Sequence, residues 1–377
     1  MNVLVTDGHS RVSLAVVRAL GRAGARVRVV EQERFARRTP AAFRSRWARG
    51  GRVLPSLGPD GAFVRALARE ARGADVILPV STNVVLALAE ARGELPAPVP
   101  VPPPETLRRA NDKAALLEVA RRAGVPVPES CAPRSEDDLA EAAARLRWPA
   151  VVKLRDDEGT FLEPAGRYRI VRSHAELREA YRALHGLRPF PLVQEYVPGD
   201  GYGVGALARG GRLLAAVVHR RVREYPVGGG PSAFCETVRD ERLVEAAGRI
   251  LRELGWTGVA MVEFRGGAGE YRLLEVNPRF WGALPLATAA GVNFPWLLCR
   301  MALGEDPAPA PRYEEGVRVR FLPMDLAAAW GALRSGRGRR RYVWGFLRDL
   351  FDPRVRDGIF DAADWRASMA YWLSRRP

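Results

Sequence analysis

The alternation of apolar and polar stretches divides the chain before any single residue draws attention. Residues 2–6 (NVLVT) are a short apolar run, followed by the polar turn Asp7-Gly8-His9-Ser10 and by apolar positions at helical spacing over about 10–23. Residues 25–31 (ARVRVVE) read as a second strand. A third, 74–80 (ADVILPV), is followed by Ser81-Thr82-Asn83 and an apolar helix over 84–91. Strand, polar turn and helix in alternation predict a small parallel, doubly wound domain over residues 1–100.

The proline-rich stretch LPAPVPVPPPE (95–105) predicts a stiff extended linker and the clearest boundary. Beyond it the pattern predicts a helix over about 106–123, ended by Gly124 and Pro126, and an acidic-start helix over 135–146. A strand (149–154, PAVVKL), a glycine-containing loop, a strand (167–171, RYRIV), a helix (174–185) and a strand (192–197, LVQEYV) follow. Residues 202–237 are strand-like with a GGG turn. A helix over 240–254 precedes two strands, GVAMVEFR and EYRLLEV, whose connection GGAG signals a hairpin. Strands and helices segregate here, which points to α+β architecture. From about residue 306 the tail is expected to be a helical extension.

Composition adds two constraints. The chain has 377 residues, of which 47% are hydrophobic and 27% charged, enough for roughly two to three folded domains and unlike a disordered chain. Net charge is +16, yet of 59 basic residues only Lys113 and Lys153 are lysine. A chain biased towards arginine explains most of that charge. The two lysines then become candidates for positions where a compact ammonium is wanted. Cys131, Cys235 and Cys299 lie far apart without a C-x-x-C pair, which argues against a disulfide framework and a zinc site. The N-terminus has no basic stretch before its apolar residues, and no apolar run approaches the roughly 18–20 residues of a membrane span. A cytoplasmic protein is expected.

Four regions could carry chemistry. The first βα turn lacks G-x-G-x-x-G spacing, and Glu31, although able to hold a ribose, is of a type that often ends strands, so no dinucleotide site is expected. In the tail, Arg334, Arg337, Arg339, Arg340 and Arg341 precede YVWGFLRDLF. Aromatics among arginines could meet nucleic acid or an anionic membrane. The plainer account packs Trp and Phe onto the main body and leaves the arginines solvated. The segment 219–232, with Arg220 and Arg223 ahead of Gly229, Gly230 and Ser232, could hold a carboxylate and its acyl phosphate, or be a flexible turn with surface arginines. Finally, Glu263 and Glu275 fall on the two arms of the predicted hairpin, with Asn277 on the face of Glu275 and Arg279 just beyond. Two carboxylates and a carboxamide suit Mg²⁺, and Arg279 can reach a phosphate. Paired glutamates on a hairpin also occur as a solvated cross-strand face.

The order of these elements resembles the ATP-grasp superfamily over about residues 100–305. Lys113 lies in NDKAALLEVARRAGVPVPES and Lys153 in WPAVVKL; LVQEYVPG and VEF…LLEVNPRFWG follow. The runs GWTGVAMVEF, EVNPRFWGALPLA and AGVNFP resemble the carboxylate–amine ligase branch, with carbamoyl-phosphate synthetase, biotin carboxylase and D-alanine–D-alanine ligase as relatives. The resemblance implies an α/β and α+β fold in three parts. A Rossmann-like domain (1–100) precedes a two-subdomain ATP-grasp domain (101–305, hinge near 192–200) and a basic, aromatic helical extension (306–377). It implies that Lys113 and Lys153 contact nucleotide phosphates, and that Gln194, Glu195 and Val197 form the adenine hinge. Glu263, Glu275 and Asn277 would hold two Mg²⁺, with Mn²⁺ able to substitute, and Arg279 would neutralise the transferring phosphoryl group. Two departures stand out. Asp200 is only a substitute for the glutamate that holds the ribose in many relatives. The phosphate-covering loop RDDEGTFLEPAGR is acidic where relatives are glycine-rich, so residues 156–158 either close over ATP or meet an amine.

The expected function is ATP-dependent amide formation from a small carboxylic acid and an amine through an acyl phosphate, with release of ADP and phosphate. The alternatives are bicarbonate-using carboxylation or carbamoyl-phosphate chemistry, a regulatory ATP-binding module, and a basic protein that binds nucleic acid or a membrane surface. The arginine bias disfavours nucleic acid. A peripheral membrane contact through the tail and a homodimer are both compatible with the sequence.

Overall fold

The computed structural model describes residues 1–377 except 157–165, 227–228, 268, 306–311, 336–338 and 375–377. The first four strands, β1 (Asn2–Val5), β2 (Arg26–Gln32), β3 (Ala48–Leu54) and β4 (Val76–Leu78), form one parallel sheet in the order β3-β2-β1-β4. Helix α1 (Arg11–Arg22) connects β1 to β2, α2 (Ala62–Glu70) connects β3 to β4, and α3 (Thr82–Glu90) follows β4. β1 and β4 are continuously apolar because side chains on both faces are covered. The hydrophobic pattern misses β3 and α2. β3 (ARGGRVL) is exposed along most of its length, so it carries no apolar alternation to read.

The proline-rich stretch is extended but is not a free linker. Ala97, Val99 and Val101 are buried, and Pro98 O accepts a hydrogen bond from Ile77 N at 3.0 Å. The helix expected over 106–123 is two helices, α4 (Pro104–Asn111) and α5 (Lys113–Arg122). Asp112 separates them with extended backbone, and its Oδ1 accepts from Ala114 N and Ala115 N at 2.9 and 3.2 Å. This is an N-cap, and it ends one helix by starting the next.

A small antiparallel sheet follows, made of β5 (Ser130–Cys131), β6 (Ala150–Lys153), β7 (Tyr168–Val171) and β8 (Leu192–Glu195) in the order β5-β8-β6-β7. Helices α6 (Glu136–Arg145) and α7 (His174–Leu187) complete its separate core around Val152, Val193 and Leu177. The larger sheet comprises β9 (Asp200–Arg209), β10 (Arg212–Glu224), β11 (Ser232–Thr237), β12 (Gly258–Gly267), β13 (Glu270–Asn277), β14 (Arg318–Arg320) and β15 (Val355–Asp357). Its order is β13-β12-β9-β10-β11-β14-β15. One core joins this sheet to α8 (Glu241–Glu253), α5 and the parallel sheet. A second joins it to α1, α9 (Leu284–Ala289) and α10 (Phe294–Ala302).

The tail departs from a purely helical extension. Helices α11 (Leu322–Ser335), α12 (Arg339–Leu350) and α13 (Trp365–Ser374) are present, but β14 and β15 add two parallel strands to the large sheet. The tail also returns to the first domain. Asp364 is buried and accepts from Arg18 Nε (2.9 Å), Ser45 Oγ (2.8 Å) and Arg46 N (2.8 Å). Its aromatics are not all packed on the body, since Trp330, Trp344, Phe351 and Trp365 are each more than half exposed. No described helix is long and apolar enough to cross a membrane.

Candidate functional site

A cleft of about 410 Å³ lies between the small sheet and one face of the large sheet, within the range of small-molecule sites. Its floor is organised by register. His219 on β10 pairs with Gly203 on β9, Gly203 with Glu263 on β12, and Glu263 with Glu275 on β13. Directly paired antiparallel residues share a face, so this row brings the imidazole and both carboxylates to the cleft. Glycine at position 203 makes the row possible, because a Cβ there would run into the His219 ring. One at Gly205 would meet Trp281. The alternation Gly201-x-Gly203-x-Gly205 is a period-2 signal that sequence reading left unused.

Asn277 lies two residues past Glu275, and its Nδ2 donates to Glu263 Oε1 and Glu275 Oε1, both at 3.0 Å. Arg221 binds the other oxygen of Glu263 and stands 3.6 Å from Glu224. Burial pushes the Glu263 carboxyl above its ordinary range, with Arg221 opposing and Glu275 adding to the rise. For Arg221, burial pulls against the charge, but Glu263 and Glu224 outweigh it and the guanidinium stays cationic. His219 is pushed down to about 3 by burial, helped by Arg221, and is a neutral imidazole near pH 7.

The opposite walls carry the two lysines. Lys113 opens α5, where an ammonium faces the positive end of the helix dipole, and its Nζ lies 4.0 Å from Glu275 Oε2. An unfavourable helix position held against a carboxylate indicates a role other than helix stability. Lys153 ends β6 with Nζ 3.5 Å from Leu274 O. Gln194, Glu195 and Val197 border the cleft along and just beyond β8. The Gln194 side chain donates from Nε2 to Ser130 Oγ at 2.8 Å, and its backbone lies in the sheet between β5 and β6. Arg279 donates from Nε to Thr82 Oγ1 (3.1 Å) and from Nη2 to Asn277 Oδ1 (3.4 Å), tying the site to the start of α3. Gly229, Gly230 and Ser232 form another edge, where the Tyr168 hydroxyl donates to Gly229 O.

Three expected site residues lie elsewhere. Arg220 points to the other face of β10, as strand alternation requires, with Nε 3.1 Å from Glu236 Oε1 and Nη1 3.3 Å from Asp200 Oδ2. Asp200 is thereby held by Arg220 and is not among the described residues that border the cleft. Arg223 follows a register shift after Arg221 and is buried, bound to Asp325 at 2.6 and 2.7 Å and to Asp349 at 2.7 Å. It ties β10 to α11 and α12 and does not border the cleft. Of the acidic segment 156–158, residues 157 and 158 lie outside the described residues, and Asp156 pairs with Arg188 at 3.0 Å.

Sequence reading took in His219 and Arg221 only as part of the segment 219–232 and missed Arg265, Tyr168 and Arg11; all five border the cleft. Alternation along β10 could have separated 219 and 221 from 220; nothing local marks Arg11, which reaches across to Phe321, 4.3 Å from the ring centroid. Buried Arg221 Nε, Arg265 Nε and Glu224 Oε1 have no hydrogen-bond partner among the described residues. Hydrogen-bonding capacity is therefore left over beside the cleft.

The donor set formed by Glu263, Glu275 and Asn277 is all oxygen when the amide presents Oδ1, and fits a Mg²⁺ that completes its shell with phosphate and water oxygens. Among the described residues no three His, Cys, Asp or Glu side chains converge, so protein carboxylates alone do not form a closed cage. The three cysteines are not poised as nucleophiles: burial pushes Cys131 up to about 11 and Cys235 and Cys299 up to about 12.

Residues 188–323 match a family described as ATP-grasp in the biosynthetic pathway with Ter operon. The carbamoyl phosphate synthase large chain of Deinococcus radiodurans is 28% identical over 231 residues, which are 58% of this chain and 22% of that protein. The chain thus spans about a quarter or less of the length of such relatives. Biotin carboxylase from Campylobacter jejuni, solved as a β-γ-ATP complex, superposes with a TM-score of 0.67 at 17% identity, covering 84% of this chain and 74% of that one. L-amino acid ligase from Bacillus licheniformis gives 0.61 at 18% identity, covering 80% and 74%. The match to an ATP-grasp family thus covers residues 188–323, and the overall fold is shared with a biotin carboxylase and an L-amino acid ligase.

Proposed function

We propose that this chain is an ATP-dependent carboxylate–amine ligase. The observation that carries the reading is the convergence of Lys113, Lys153, Glu263, Glu275, Asn277 and Arg279 in one cleft between two sheets. A substrate carboxylate oxygen attacks the γ-phosphorus of ATP and ADP leaves. The amine then attacks the acyl carbon of the resulting acyl phosphate, phosphate departs and the amine loses a proton. Bound Mg²⁺, held by Glu263, Glu275 and Asn277, supplies charge neutralisation on the phosphates. Lys113 and Lys153 orient the nucleotide from opposite walls, the backbone at Gln194, Glu195 and Val197 seats the base, and Arg279 meets the phosphoryl group. Arg221 and Arg265, with Gly229, Gly230 and Ser232 on the same edge, receive the acid; Arg221 Nη1 already donates to Gly230 O at 3.2 Å. Phosphoryl transfer of this kind needs positioning and charge compensation rather than a side-chain nucleophile.

A bicarbonate-using reaction is the second reading, favoured by the likeness to biotin carboxylase and carbamoyl phosphate synthase. An ADP-release screen over paired acids and amines, with mass detection of product, separates the two. ADP release that needs an organic acid and yields an amide supports the ligase; release driven by bicarbonate alone replaces it. Lys153→Met and Glu275→Ala are each expected to lower acid-dependent ADP release by about 100-fold or more while circular dichroism stays unchanged. Full activity in either variant overturns the assignment of the site.

A further inference from the structure

Exposed large apolar side chains are unevenly distributed over this molecule. Among the described residues there are fourteen, and nine fall between Leu326 and Leu373. The remaining five, such as Leu187 and Leu303, are scattered as single residues of the kind common on soluble surfaces. Within the tail, α11 and α12 pack against each other as a helical hairpin. On α11, Leu326 and Trp330 are four residues apart and are 47% and 60% exposed. On and just past α12, Trp344, Leu347 and Phe351 keep the same helical spacing and are 71%, 41% and 81% exposed. Each helix therefore shows solvent an apolar stripe that nothing among the described residues covers.

Charge accompanies the stripes. From Arg334 to Arg354 the sequence holds seven arginines and two aspartates. Asp349 is buried under Arg223 and Arg318, and Asp352 is paired with Arg318 and Arg354, so neither opposes the positive field outward. Arg334 lies over the Trp330 ring at 5.6 Å, and a concavity of about 500 Å³ beside Phe351 is bordered by Arg318, Arg348 and Arg354. Tryptophan, phenylalanine and arginine together on an amphipathic face are suited to the headgroup boundary of a bilayer: rings enter the acyl edge and guanidinium groups meet phosphates.

We infer that the α11–α12 hairpin docks the protein on an anionic phospholipid surface. A second copy of the chain fits less well, because an isologous contact would bring two arginine-rich tips together. Nucleic acid fits the charge but leaves Leu326 and Leu347 without an apolar partner. Because no described helix can cross a bilayer, the contact lies in the interface.

The experiment is co-sedimentation of the full chain with vesicles of phosphatidylcholine alone or mixed with phosphatidylglycerol, at physiological ionic strength. Binding is expected only to the mixed vesicles, with tryptophan emission quenched by brominated acyl chains. Combined Trp330→Ser, Trp344→Ser and Phe351→Ser should weaken it about ten-fold or more, and so should Arg348→Gln with Arg354→Gln, with nucleotide binding retained in both. Equal binding to both vesicle types, no quenching in the wild-type chain, or full binding by the aromatic variant overturns the inference. So does sedimentation with duplex DNA but not with vesicles. A dimer by light scattering that only the aromatic variant dissociates, without vesicle binding, assigns the face to a second copy instead.

Discussion

Arg220, Arg221 and Arg223 stand within four positions of β10 and meet three different environments. Arg220 is half-exposed beside Glu236 and Asp200, Arg221 faces the cleft against Glu263, and Arg223 is buried between Asp325 and Asp349. Physical chemistry orders their replacements. Arg223→Leu leaves Asp325 as an unpaired buried carboxylate and is expected to lower unfolding free energy by about 3–5 kcal/mol. Arg220→Ala breaks a solvent-screened pair and should change it by about 1 kcal/mol or less. Urea denaturation of the two variants checks the contrast. His219 gives a pH test. Its folded value of about 3 lies below the unfolded imidazole value of about 6.5, so between them the unfolded chain binds the extra proton. This contribution leaves stability intact above pH of about 6.5 and erodes it as pH falls towards 3. Replacing the imidazole by His219→Gln should flatten the decline between neutral pH and pH 5 by about 2 kcal/mol, read from urea midpoints across that range.

Elements place these residues. The β12–β13 hairpin was readable in advance from apolar alternation and a glycine turn, but a register shift between Phe264 and Glu263 is what puts Glu263 opposite Glu275 instead of Leu274. The break at Asp112 was not readable, since apolar spacing continues through it. What decides it is a contact with Arg155, forty-three residues away, whose Nε lies 2.8 and 2.9 Å from the two Asp112 carboxylate oxygens. That bond and the N-cap hold the first turn of α5, and with it Lys113, beside the cleft. The Arg155 contact holds the Asp112 carboxyl below its usual range even though burial works against it. Asp112→Ala is expected to reduce stability by about 1–2 kcal/mol and to weaken nucleotide binding, measured by calorimetry. Asp112→Asn retains a cap and should recover most of the stability. An alanine variant that binds nucleotide as the wild type does would separate the helix break from the site.

At the scale of the whole molecule the cleft is assembled from distant pieces. The first turn of α1 borders it through Arg11, the start of α3 fixes Arg279 through Thr82, and the tail supplies Phe321 beneath Arg11. Asp364 secures that arrangement by joining the tail to Arg18 and Ser45 of the first domain. Removing it by Asp364→Ala leaves the buried Arg18 guanidinium with only the more distant carboxylate of Asp361, 3.8 Å away. A loss of about 3–5 kcal/mol is expected, together with faster proteolytic release of the segment after residue 355. Unchanged cleavage would show that the tail is held by its apolar contacts alone.

The sequence by itself determined what depends on neighbours along the chain: the parallel βα units, the glutamate hairpin, and the two lysines that stand out against an arginine background. Those features rest on local periodicity and on scarcity, which need no fold to be read. Only the tertiary structure decided which arginine of 220–223 faces the cleft, that Asp200 turns away, and that the tail closes onto the first domain while leaving an aromatic face open. A strand's facing depends on bulges and partners, and burial depends on what packs above it. Both are set between residues hundreds of positions apart.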